Sequence, residues 1–288
     1  MLDRSRFRGV VVPMMSPFTP AGDIDVPAVQ KIADRLAGGG VAGIFPLGTT
    51  GEAASIALDQ RRLLVEATVR AVQGRSMVYA GIASNCFAES VRAAKDYAAI
   101  GGVDAVVAHP PSYYALSDSE IENYFLKLAD SIPLPLVLYN IPVTTHLSIP
   151  LHAIEKLAQH PNIVAIKDSA GDAHRITDLL KITGGRGGFP VLLGSSALFS
   201  HGLKLGGVGI IPSGAHLVPN EYQAMFVAAM DKNWAEVDRL QKVTDEAVSV
   251  YIKGRSLASG LAKLKAILAS QGLCGPTMLS PIATDNDQ

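Results

Sequence analysis

Residues 134–168, LPLVLYNIPVTTHLSIPLHAIEKLAQHPNIVAIKD, decide the fold. Two apolar runs of strand length, Leu134–Tyr139 and Ile163–Lys167, flank a segment at Ile149–Gln159 whose apolar residues recur at helical spacing. Neither run alternates with polar residues. A strand that reads as continuous Val, Ile and Leu is covered on both faces, as a parallel sheet is when crossover helices shield it from water.

The same unit recurs in both directions along the chain. Strands are predicted at Val10–Met15, Gly43–Leu47, Met77–Ile82, Ala105–Ala108, Val191–Gly194 and Gly207–Ile211, making eight with the first two. Helices are predicted between them at Val26–Ala37, Leu58–Val72, Glu89–Ile100, Asp118–Ser131, Ala173–Ile182 and Ala197–Leu205. Eight such units favour a closed (β/α)8 barrel, the TIM-barrel class of α/β fold, over an open doubly wound sheet. A dinucleotide-binding version of the open sheet wants GxGxxG after the first strand, where this chain has MSPFTPAG. Gly38–Gly40 reads as the end of the first helix and more weakly as a phosphate cradle. Three more helices, Asn220–Met230, Trp234–Ile252 and Leu257–Ser270, follow the eighth strand. The expected organisation is a barrel over 1–215 and a helical extension packed on it over 216–288, with the terminal SPIATDNDQ frayed.

Composition narrows the function. Of 288 residues, 25 are basic and 26 acidic, a net charge of −1 that offers no nucleic-acid footprint and points to a small-molecule partner. Cys86 and Cys274 alone give no disulfide framework or metal knuckle, and the seven histidines show no HxH or HExxH spacing, so no metal is implied. The start MLDRSRFRG leads into a proline-broken VVVPMMSPF, which suits neither a signal peptide nor a membrane span; a soluble, cytoplasmic protein is expected.

A barrel carries its chemistry at the carboxyl ends of its strands. Those ends hold GTTGE (Gly48–Glu52), HPPSYY (His109–Tyr114), YNIP (Tyr139–Pro142), KDS (Lys167–Ser169), GSS (Gly194–Ser196) and IPSG (Ile211–Gly214). Lys167 ends the apolar run NIVAIK, where an ammonium pointing into the barrel loses hydration; the free amine attacks a carbonyl to give a Schiff base. Pairing with Asp168, or snorkelling to the rim, is the alternative. Tyr139 ends the preceding strand and suits proton transfer if another hydroxyl holds it, or else is a rim aromatic. GTTGE offers two hydroxyls and backbone donors for a carboxylate, with Glu52 bracing the loop, although taken alone it reads as an ordinary turn. His109 is an acid–base candidate or a simple hydrogen-bonding residue. Asp168 and Asp172 suit helix caps, and Ser195 and Ser196 lack a GxSxG elbow.

With Lys167, Tyr139 and GTTGE in view, the chain resembles the dihydrodipicolinate synthase / N-acetylneuraminate lyase superfamily of class I aldolases, from VPMMSPF through YNIP and KDS to the helical tail. The resemblance implies a (β/α)8 barrel with C-terminal helices, a homotetramer of paired dimers or a homodimer, and chemistry on pyruvate or a related 2-oxo acid with a covalent lysine imine and no cofactor. It implies Lys167 as the Schiff-base lysine, Tyr139 as the proton relay, Thr49 as the hydroxyl linking that tyrosine to a second, and Thr50 as a binder of the oxo-acid carboxylate. Tyr113 aligns with the second tyrosine, often supplied across a dimer interface, while Gly194 and Ile211 line the oxo-acid end.

One departure carries weight. The family's synthases usually place an arginine after YNxP to receive the carboxylate of aspartate semialdehyde, whereas this chain has Thr144 and Thr145 there. Its sialic-acid lyases usually read GSTGE, another departure. An uncharged wall at Thr144 suits a hydroxylated partner. The leading expectation is therefore a lyase acting on a 2-oxo-3-deoxy sugar acid or related hydroxy-oxo acid. A 4-hydroxy-tetrahydrodipicolinate synthase and a dehydratase using the same imine are alternatives, and a noncatalytic oxo-acid sensor is the alternative of another class.

Overall fold

The computed structural model describes residues 3–285, which form eight parallel strands closed into a barrel. The strands are β1 (Gly9–Pro13), β2 (Gly43–Phe45), β3 (Met77–Gly81), β4 (Ala105–Ala108), β5 (Leu136–Asn140), β6 (Ile163–Asp168), β7 (Val191–Leu193) and β8 (Gly209–Ile210). Each pairs with its neighbours in chain order, and β8 returns to β1 through Gly9↔Gly209 and Val10↔Ile210. The helices are α1 (Val26–Gly38), α2 (Leu58–Val72), α3 (Phe87–Ile100), α4 (Asp118–Ser131), α5 (Pro142–Thr145), α6 (Leu151–Leu157), α7 (Ala173–Ile182) and α8 (Phe199–Lys204), followed by α9 (Pro219–Met230), α10 (Trp234–Ile252) and α11 (Leu257–Ser270).

Local chemistry sets the helix boundaries. Asp25 caps α1 by accepting the Ala28 amide, and Ser117 and Glu120 form a reciprocal capping box on α4. Gly39 and Gly40 end α1, as expected of the glycine triplet, and Gly40 takes the left-handed φ of 74°. The helix expected from Ile149 begins instead after Pro150, and the four-residue α5 was not foreseen.

Two apolar layers follow from strand alternation. Val11, Phe45, Tyr79, Val107, Val137, Tyr139, Leu192 and Ile211 fill the barrel interior. Their sequence neighbours, such as Val10, Ile44, Val106, Leu138 and Ile210, pack outward beneath the helices.

β6 breaks strict alternation in a way that matters. Its register against β5 shifts between Leu136 and Val137, so Leu136 pairs with Ile163 but Val137 pairs with Ala165. Val164 and Ala165 therefore both face the interior. This bulge advances the phase by one residue and brings Lys167 into the barrel opposite Tyr139; uninterrupted alternation from the outward Ile163 would have turned Lys167 toward the helices.

The extension is joined firmly to the barrel. α9 packs on β1 and α10, and α10 packs on α8 and α11. The fraying expected of the terminal segment does not hold over residues 280–285: Asp285 receives Arg255 at 3.2 Å and Lys263 at 3.0 Å. The rest of that segment lies outside the described residues. Among the described residues no helix is long and apolar enough to cross a membrane.

Candidate active site

The carboxyl ends of the strands open into a cavity of about 570 Å³, walled by Thr49, His109, Tyr139 and Thr144 and, from the extension, by Leu261 and Ile282. Lys167 is 4% exposed. Its ammonium stands 3.9 Å from the centre of the Tyr139 ring and 5.1 Å from that of Phe45. The negative faces of two aromatic rings thus hold the charge.

Asp168 does not pair with Lys167. Alternation sends its carboxylate to the other side of β6, where it accepts Arg175 Nε at 2.8 Å, Asn140 Nδ2 at 2.9 Å and the Ala170 amide at 3.0 Å. Asn140 also accepts the Ile149 amide through its side-chain oxygen, and Arg175 reaches the Ile149 carbonyl. This buried network ties the ends of β5 and β6 to α7, so Lys167 and Tyr139 project from a braced pair of strands. It leaves Lys167 without a carboxylate partner among the described residues, and therefore free to meet a carbonyl.

Tyr139 meets Thr49: the two hydroxyl oxygens are 3.3 Å apart and either can donate. Thr50, also buried, follows in the same loop. That loop is bounded by two non-glycine residues with left-handed backbone, Leu47 (φ 61°) and Glu52 (φ 55°). Such conformations cost about 1–3 kcal/mol each and persist only where surrounding contacts impose them.

Gly194 sits against the reacting lysine. A Cβ there would lie 2.0 Å from Ser169 Oγ and 3.0 Å from Lys167 Cε, so any side chain must displace the Ser169 hydroxyl and press on the lysine stem. Ile211 lies in the same interior cluster as Tyr139. Thr144 lines the cavity, its hydroxyl turned to the Ile141 carbonyl at 3.3 Å. His109 packs edge-on against Tyr139 with ring centres 6.3 Å apart, and its Nδ1 donates to the Pro110 carbonyl at 2.8 Å. Burial pushes its imidazole below the usual histidine range, with the Pro110 bond opposing.

Of the site residues proposed from sequence, Lys167, Tyr139, Thr49 and Gly194 come together directly, Thr144 lines the cavity, Ile211 belongs to the interior cluster of Tyr139, and Thr50 is buried beside Thr49 in the loop. Tyr113 does not join them within the chain. It is 78% exposed, and its ring stacks edge-on with Tyr114 at 5.1 Å. Asp172 is the expected cap, accepting the His174 and Arg175 amides at the start of α7. The Asn140–Asp168–Arg175 network escaped the sequence reading, because nothing in a single sequence distinguishes Arg175 from any other helix-surface cation.

The sequence model described as the Dihydrodipicolinate synthetase family matches residues 6–288. The 4-hydroxy-tetrahydrodipicolinate synthase of Koribacter versatilis is 32% identical over 267 residues, 93% of this chain and 87% of that protein. The same-named protein of Methanosarcina barkeri is 30% identical over 283 residues, 98% of this chain and 95% of its own. The solved dihydrodipicolinate synthase of Bacteroides thetaiotaomicron superposes with a TM-score of 0.89 at 30% identity, covering 96% of this chain and 93% of that one. A barrel with its lysine bared between two aromatic faces, and a match that runs nearly from end to end, lead to one conclusion: the chain belongs to the dihydrodipicolinate synthetase family.

Proposed function

We propose that the protein is a Schiff-base-forming lyase of the class I aldolase type that condenses pyruvate with an aldehyde, as a 4-hydroxy-tetrahydrodipicolinate synthase does. The carrying observation is Lys167, unpaired by a carboxylate among the described residues and set on the face of Tyr139, whose hydroxyl meets Thr49. The Lys167 ammonium first gives up a proton to solvent, the free amine attacks the oxo carbon through Nζ, the carbinolamine loses water, and the resulting protonated imine draws electrons from the adjacent carbon. Loss of a proton from that carbon gives the nucleophile that adds to the aldehyde. Tyr139 and Thr49 carry protons to and from the carbinolamine oxygen. The covalent lysine supplies the electron sink, so the chemistry asks for no external cofactor.

The relatives, named as synthases, favour this reading over the sugar-acid lyase expected from Thr144 alone. The cavity also holds a basic residue that lies outside the GTTGE, YNIP and KDS motifs. Arg61 lines it, anchored by its Nε to the Ile56 carbonyl at 2.9 Å, and is suited to a second substrate's carboxylate. Thr144 in the wall keeps the 2-oxo-3-deoxy sugar acid as the second reading. The outward Tyr113 suits delivery to the Thr49–Tyr139 pair of a second copy, in a homodimer or homotetramer. Product analysis decides between the substrates: pyruvate with aspartate semialdehyde is expected to yield the cyclic condensation product. Turnover of 2-oxo-3-deoxy sugar acids with none of the semialdehyde would overturn the synthase reading.

A further inference from the structure

Glu52 and Lys265 form an ion pair across 213 positions of sequence, with both side chains fully buried. Lys265 lies in α11. Its ammonium also donates to the Thr277 carbonyl at 2.9 Å and stands 4.2 Å from the centre of the Phe18 ring. The other carboxylate oxygen of Glu52 accepts the Leu279 amide at 2.9 Å. Both oxygens of a residue in the GTTGE loop are therefore held by the C-terminal extension.

A short chain of contacts leads from this pair to the chemistry. Glu52 carries the left-handed φ of 55°, and its amide donates to the Thr49 carbonyl at 3.1 Å. The Thr49 hydroxyl in turn meets that of Tyr139 at 3.3 Å. Gly51 leaves the loop little slack: its carbonyl accepts Ser16 Oγ at 2.7 Å, and a Cβ on it would lie 2.7 Å from the Met14 carbonyl oxygen. α11 also gives Leu257, Ala258 and Leu261 to the cavity wall.

We propose that Lys265 is a positioning residue for catalysis: by gripping Glu52 it fixes the GTTGE loop so that Thr49 stays in register with Tyr139. The proposal rests on the roles given above to Lys167, Tyr139 and Thr49. Stability alone is a poor reason for such a pair, because a buried ion pair is often replaceable by apolar residues at no net cost, whereas loss of one partner strands a charge. Burial draws the Lys265 ammonium below its ordinary range while Glu52 opposes the shift, so the ammonium depends on the carboxylate beside it. A helical extension that only docked would need no such link into a loop of the active site.

The test uses the full-length wild type, Lys265→Met and Glu52→Gln, below their thermal midpoints. Borohydride trapping with pyruvate counts competent Lys167 sites, and deuterium exchange at the methyl carbon of pyruvate reports proton transfer per site. Both variants are expected to trap pyruvate, with exchange per trapped site slowed roughly 10- to 100-fold and KM for pyruvate raised, the scale set by small displacements of catalytic groups. Wild-type exchange and KM per trapped site, with only a lowered thermal midpoint, would overturn the proposal. Should Lys265→Met fail to fold, Glu52→Gln decides alone, since it keeps the side chain's shape and removes its charge. Absence of a Lys167 adduct in the wild type would overturn the underlying reading as well, which separates the two failures.

Discussion

Acid should weaken this protein through one buried histidine. His216 ends the 3-10 turn Ser213–His216 after β8, and its Nε2 accepts the Met15 amide at 3.1 Å. An amide only donates, so the neutral ring meets Met15 with Nε2 as acceptor; protonating Nε2 sets two N–H groups against each other in an interior site, a clash that the Pro13 carbonyl, 3.2 Å from the same nitrogen, offsets only in part. Desolvation pushes the imidazole down to about 4 from an ordinary value of 6.5. The folded state thus binds fewer protons than the unfolded chain between these values. The stability contribution is complete above the unfolded value and is lost as pH falls toward the folded one. A shift of this size corresponds to about 3 kcal/mol by roughly pH 4. His109, also lowered by burial, adds loss in the same direction. Urea unfolding across this range is expected to show the decline in the wild type, and His216→Gln, less stable at neutral pH, should lose about 3 kcal/mol less on acidification. Equal losses in both proteins would refute the reasoning.

Thr49→Val removes the hydroxyl 3.3 Å from Tyr139 and should slow methyl-proton exchange in pyruvate roughly 10²-fold while leaving Lys167 able to trap it, as read by exchange and adduct mass. Gly194→Ala forces a methyl group into Ser169 Oγ and Lys167 Cε; adduct formation should fall sharply, and Gly194→Ala with Ser169→Gly should recover part of it. Asp168→Ala strands Arg175 and leaves Asn140 short of a partner, a loss of about 3–5 kcal/mol that should lower the thermal midpoint on the order of 10 °C in a calorimetric scan.

Periodicity and punctuation made the barrel legible. Continuous apolar runs marked the strands, and Asp172 and the glycine triplet acted where their local chemistry put them. Lys167 and Tyr139 were readable because each ends an apolar run, but that they share the interior depends on the bulge opposite Val137, which leaves no mark in composition. Asp168 was ambiguous for the same reason: its choice of Arg175 over Lys167 follows from strand parity. The pairing of Glu52 with Lys265 lay beyond sequence, since a lysine in an apolar helix reads as a surface residue until the fold buries it. Tyr113 shows the converse, a motif position whose side chain finds no place in its own chain's site.

The central claim is that Lys167 forms a covalent imine with a 2-oxo acid. Borohydride reduction in the presence of pyruvate, followed by intact and peptide mass spectrometry of the wild type and Lys167→Met, tests it most directly. The account predicts one reduced pyruvate per wild-type chain, located on Lys167, and none in the variant. An unmodified wild type under conditions that label a control aldolase, or equal labelling of Lys167→Met, would contradict it.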